Sequence, residues 1–210
     1  MKKCFWVTTI ALLIIVGLIL IYKTTNISIF SSYSDLRAKS NESLTVAKMD
    51  EVKKDINKQL ESKTGDVLGM VAIPSVGIDL AILKGSTKDN LYKGATTLKD
   101  NQLMGKGNYT LAGHHMKDET LFFGKLHEMK VSDKILLTDK KNIYVYVMTK
   151  RKNIHETEVD ILNDGKGSEV TLITCDKPTS TEYRTVVIGE LESEYKYSEG
   201  KWDKMIKSFQ

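Results

Sequence analysis

From Val67 to Leu191 the chain is divided into short runs rich in β-branched and aromatic residues. They are VLGMVAI (67–73), IDLAIL (78–83), NYTLAG (108–113), KILLTD (134–139), IYVYVMT (143–149), EVTLIT (169–174) and TVVIGEL (185–191). A weaker run lies near Asn153–Ile161. Turn-forming residues stand between them, at Pro74-Ser75-Val76-Gly77, Asp139-Lys140-Lys141-Asn142 and Asn163-Asp164-Gly165-Lys166-Gly167. IYVYVMT alternates as a half-buried strand does. Roughly eight short strands with few helices predict an all-β domain over 66–192, built as a closed or nearly closed β-barrel. Residues 117–130 are expected to hold a short helix or turn. The polar tail, 193–210, offers Trp202, Met205 and Ile206 as a docking face.

A second feature sets the compartment. Cys4–Tyr22 is a run of 19 residues without a charge, preceded by Lys2 and Lys3 and followed by Lys23. About 20 apolar residues span a bilayer core as a helix. A cleavable signal peptide has a shorter apolar core and a small-x-small cleavage site, and this run ends Leu-Ile-Leu-Ile-Tyr-Lys. Residues 1–23 therefore predict a retained transmembrane signal anchor with its N-terminus inside. The expected protein is single-pass, with its domain on the extracellular face. Residues 24–65 read as a linker followed by a helical stalk, because Met49, Val52, Ile56 and Leu60 recur on one helical stripe.

The net charge of +4 first suggests a nucleic-acid partner. Removing Lys2, Lys3 and Lys23 from the 31 bases leaves 28 against 27 acids, so the region beyond the anchor is nearly neutral. The basicity flanks the apolar run and does not form a phosphate-binding face.

Three residue types carry candidate chemistry. The chain has two cysteines, Cys4 in the apolar run and Cys175 after Val170-Thr171-Leu172-Ile173-Thr174. A lone thiol serves equally well as a small core hydrophobe. Cys175, however, is followed at once by Asp176-Lys177-Pro178, which places it where a strand leaves the sheet and a cleft can reach it. Of the four histidines, His127 and His155 read as solvated surface residues. His114 ends the run TLAG and His115 follows it; a thiol nucleophile needs such a partner. Adjacent strand residues face opposite ways, so at most one of the two shares a cleft with Cys175. The same geometry disfavours a metal held by the pair, and no metal is expected. Arg184 opens the last run, where a guanidinium beside the Cys175 strand can donate to a developing oxyanion.

Thr171-Leu172-Ile173-Thr174-Cys175 matches the TLxTC signature of sortases. Leu111-Ala112-Gly113-His114 matches their histidine segment, and Arg184-Thr-Val-Val their arginine strand, in the same order along the chain. On these residues the chain resembles a sortase over roughly 66–192, including Ala72-Ile73-Pro74 at the start. The single N-terminal anchor is similar to class A, the housekeeping type. The resemblance implies a sortase-type β-barrel and a cysteine transpeptidase on the outer face of a Gram-positive membrane. Such an enzyme cleaves LPxTG-type sorting signals of surface proteins between Thr and Gly. It then joins the Thr carbonyl to an amine of a peptidoglycan precursor of the lipid II type. Cys175 would be the nucleophile, His114 its partner and the donor to the leaving amine, and Arg184 the oxyanion or substrate holder. Ala112, Ile173 and Thr174 would line the groove. With reference pKa values of about 8.5 for Cys and 6.5 for His, only a minority of molecules would hold thiolate with imidazolium, which predicts low turnover.

One departure from the family concerns calcium, which some class A members bind ahead of the histidine strand. Here the corresponding acidic positions fall on Lys99, Gln102 and Lys106. Calcium needs several oxygen ligands, so no cofactor and calcium-independent activity are expected. The rival expectations are a cysteine protease and a membrane-tethered binding module without chemistry.

Overall fold

Strands form where β-branched residues cluster, and they close on themselves because each run buries at least one face. The computed structural model describes residues 67–210; the expected anchor at Cys4–Tyr22 and the helical stalk lie outside the described residues. Eight strands follow in order: β1 (Val67–Ile73), β2 (Ile78–Leu83), β3 (Ala95–Thr97), β4 (Asn108–Ala112), β5 (Lys134–Thr138), β6 (Asn142–His155), β7 (Glu169–Cys175) and β8 (Tyr183–Lys196). They make one closed barrel in the order β1-β2-β3-β4-β7-β8-β6-β5, with β5 returning to β1. Two neighbouring pairs, β2 with β3 and β4 with β7, are parallel, and the others are antiparallel.

The expectation of a closed all-β barrel with few short helices is met. The strand missing from the sequence reading is β3, whose three residues are too short to show a period. Two runs are also longer than expected. β6 and β8 have 14 residues each and pair throughout, with register shifts between Val145 and Tyr146 and between Met148 and Lys150. Each shift is a bulge that interrupts the alternation on which a sequence reading relies. The weak run near Asn153 thus divides between the end of β6 and a 3-10 turn, Val159–Leu162. Within 117–130 a 3-10 turn covers Gly124–Glu128.

One apolar cluster fills the barrel, with Tyr109 and Leu111 of β4, Val170 and Leu172 of β7 and Val187 of β8. The alternate residues Ala112, Ile173, Cys175 and Val186 pack on the opposite face, under Leu91, Val159 and Leu162. β4 and β7 are therefore buried on both faces, which explains why their sequences read as apolar runs with little alternation. Leu91 comes from α1 (Lys88–Leu91), where Thr87 caps the start by accepting from the Asn90 N–H. At the C-terminus Ser198 caps α2 (Glu199–Ser208). Trp202 of this helix is 4% exposed and packs with Leu136, Ile143 and Val145. Burial of a side chain that size stabilises by about 3 kcal/mol.

Candidate active site

β4 and β7 run in parallel and in register, from Asn108 beside Glu169 to Ala112 beside Ile173. Their C-terminal ends therefore emerge together. Beyond the ladder the Gly113 N–H donates to the Ile173 carbonyl at 3.1 Å, and the Thr174 hydroxyl donates to the Gly113 carbonyl at 2.8 Å. These bonds carry the alignment two residues further, to His114 on one chain and Cys175 on the other. Across the antiparallel neighbour, Cys175 stands directly opposite Arg184. The structure thus brings the expected Cys175, His114 and Arg184 to one end of the barrel.

All three are buried, His114 at 2%, Cys175 at 1% and Arg184 at 0% exposure. The His114 ring lies between Tyr92, 4.9 Å away between ring centres, and Phe122, 5.9 Å away edge-on. The approach of the covering segment depends on Gly113, since a Cβ there would stand 2.6 Å from a Phe123 ring atom. A second tie is the Phe123 N–H, which donates to the His114 carbonyl at 3.0 Å.

Arg184 is a guanidinium withdrawn from water, and burial of a charge requires compensation. Its Nη1 donates to the carbonyls of Thr181 and Tyr183, and its Nη2 pairs with the carboxylate of Glu156. Glu156 was not anticipated. It is one acid in a polar stretch, and its role appears only because β6 pairs with β8, setting Ile154 opposite Arg184 two residues before it.

Ala112 and Ile173 share the apolar cluster of Cys175, on the face where a groove beside the thiol would lie. Thr174 has the opposite parity, and its hydroxyl is engaged with the Gly113 carbonyl, so it holds β4 to β7. His114 and His115 do separate, as strand parity requires. The His115 Nδ1 lies 2.8 Å from the carbonyl oxygen of Cys175, and its ring faces a different cleft with Glu119 and His127.

The opposite end of the same strand pair carries the segment considered for calcium. The Lys99 ammonium pairs with the Asp164 carboxylate at 2.7 Å. Gln102 accepts from the Thr110 N–H and hydroxyl and donates to the Thr110 carbonyl. Asp164 also accepts from the Asn108 N–H at 2.9 Å, and the hydrogen bond from Lys99 is the main cause holding its carboxyl below the usual range. Buried Asn108 completes this end: its amide donates to the carbonyls of Ile161 and Asn163, and its oxygen accepts from Thr171.

A closed barrel with histidine, cysteine and arginine gathered at one rim defines a thiol-centred site. The sortase domain family matches residues 71–192. The chain is 52% identical to sortase A of Listeria monocytogenes over 126 residues, which cover 60% of this chain and 57% of that protein, less than two thirds of its length. It is 33% identical to sortase A of Streptococcus agalactiae over 211 residues, covering 90% of this chain and 85% of that one. The crystal structure of Listeria monocytogenes sortase A superposes with a TM-score of 0.66 at 48% identity, covering 67% of this chain and 97% of the other. The chain belongs to the sortase family.

Proposed function

We propose that this chain is a class A-type sortase, a cysteine transpeptidase that joins LPxTG-bearing surface proteins to an amine of a cell-wall peptidoglycan precursor. The supporting observation is the register at the barrel rim, where Cys175 lies opposite Arg184 and beside the chain end that carries His114. Cys4–Tyr22 supplies the membrane anchor, and the barrel works on the extracellular face of a Gram-positive cell.

In the first step the Cys175 thiolate attacks the Thr carbonyl carbon of the sorting signal. The C–N bond to Gly breaks, and His114 gives its proton to the departing amine. The Arg184 guanidinium, held by Glu156, donates to the oxygen that gains charge. In the second step the acceptor amine attacks the thioester, the C–S bond breaks, and the proton lost by nitrogen returns to the thiolate–imidazole pair. Ala112 and Ile173 form the apolar wall for the signal. Thr174 acts by holding the strands in register. Lys99 supplies a built-in cation opposite Asp164, and on that ground the reaction needs no calcium.

The test uses the full chain in detergent with an LPxTG peptide, with and without triglycine, and reads the products by mass. Cleavage with ligation is expected, falling by more than roughly a thousandfold in Cys175→Ala. Cleavage to the free acid alone, even with triglycine present, would identify a protease. Cleavage that persists in Cys175→Ala, or no reaction with any LPxTG variant, would overturn the assignment.

A further inference from the structure

A side-chain cluster that acyl transfer does not use lies behind the strand ends. His115 faces an open cleft of about 420 Å3, bounded also by Glu119, His127, Arg151 and Asp176. One ligand atom from each of His115, Glu119 and His127 lies within 4.8 Å of the others. Tetrahedral ligands with metal–ligand bonds of about 2.0–2.1 Å stand about 3.3 Å apart. The remaining contraction falls on Glu119, which is half-buried, and on the exposed ring of His127. The two imidazoles are stacked, with centres 5.8 Å apart and planes 16° from parallel.

The tautomers are set by the neighbours. The His115 Nδ1 lies 2.8 Å from the Cys175 carbonyl, and the His127 Nδ1 lies 2.9 Å from the Gly124 carbonyl. A carbonyl only accepts, so each Nδ1 carries the proton and each Nε2 is the atom left for a ligand. Imidazoles that donate one nitrogen to a carbonyl and present the other are oriented as metal ligands are. The His115 Nε2 already lies 3.4 Å from a Glu119 carboxylate oxygen. Arg151 lines the cleft, but its guanidinium is turned to the carbonyls of His127 and Met129, where it braces the His127 backbone.

We propose that His115, Glu119 and His127 bind a divalent transition metal of the zinc type, with water as the fourth ligand on the open side. Two nitrogens and one carboxylate suit zinc and oppose calcium, which takes oxygen ligands. An ion there ties the two ends of the 115–127 segment to each other, and His115 already joins that segment to the carbonyl of Cys175. That segment also carries Phe122, which lies against His114. The metal thus braces the cover of the proposed site from behind and does not touch the reacting atoms.

The test removes both thiols, so that zinc held by Cys175 or Cys4 does not enter. The full chain carrying Cys4→Ala and Cys175→Ala is titrated with zinc by calorimetry and with cobalt by visible absorption. One ion per chain is expected, with the absorption of a tetrahedral cobalt site. At a hundredfold excess of zinc over Kd the thermal midpoint should rise by about 5–10 °C. Glu119→Gln and His127→Gln, both at the surface, should each weaken binding by more than about tenfold. No binding by the cysteine-free chain, or binding unchanged in both variants, would overturn the proposal.

Discussion

Because β4 and β7 are parallel, they begin together and end together, and the two ends solve the same problem differently. Each end holds an ion pair. At the start Lys99 and Asp164 are 26% and 67% exposed; at the finish Arg184 and Glu156 are 0% and 25% exposed. The exposed pair keeps most of its hydration and contributes little by attraction alone. In the second pair Arg184 has lost its water, so removal of Glu156 leaves a buried charge without its carboxylate. The surroundings differ accordingly. At the start Asn108 satisfies its amide with two carbonyls and one hydroxyl. At the finish a thiol, an imidazole and a guanidinium are gathered out of water, where charge interactions are strongest.

The largest effect that breaks this comparison is expected from Glu156→Ala. It leaves Arg184 buried without its carboxylate and should cost about 3 kcal/mol, lowering the thermal midpoint by about 6 °C or more. A fall below about 2 °C would show that the buried pair is no stronger than the exposed one.

Asp164→Ala should cost about 1 kcal/mol, mainly because the Asn108 N–H loses its acceptor, with peptide ligation unchanged. The pH dependence sharpens the point. The folded carboxyl of Asp164 is held below its unfolded value by Lys99 and Asn108, so its contribution is present at neutral pH. It should decline as pH falls below about 4 and vanish once the folded carboxyl is protonated. Acid unfolding of the native chain and Asp164→Asn would reveal this as curves that converge at low pH. Curves that stay parallel would remove Lys99 from the account.

The smallest effect is expected from calcium. Added after chelation, it should change the ligation rate by less than about twofold, since Lys99 and Gln102 are already engaged. A severalfold rise would mean that Asp164 leaves Lys99 for the ion.

Most of the barrel was legible because its strands are punctuated by turns and bury continuous apolar runs. What escaped was set by pairing across long distances. β3 exists because three residues fill the space between β2 and β4. The full lengths of β6 and β8 were masked by bulges. At the site Cys175, His114 and Arg184 were carried by a motif, and the strand registers set Cys175 opposite Arg184 at the rim where β4 ends. Glu156 was invisible, since only the β6–β8 register brings it to Arg184. Thr174 was expected at the groove from a motif, which could not show that its hydroxyl would donate to the Gly113 carbonyl across the strand joint. His127 read as a solvated residue, and nothing local signalled that its ring would stack on His115 twelve positions earlier.

The parallel pairing of β4 with β7 also has a kinetic meaning. Each partner of that pair lies about sixty residues from the other along the chain, with β5 and β6 made in between. Distant pairings form only after a large loss of chain entropy, so a barrel of this topology folds on the slow side of the millisecond-to-second range. The thiol meets its histidine only when β7 docks between β4 and β8. A half-folded chain therefore carries a cysteine without the imidazole and guanidinium that the closed barrel gathers at the same rim.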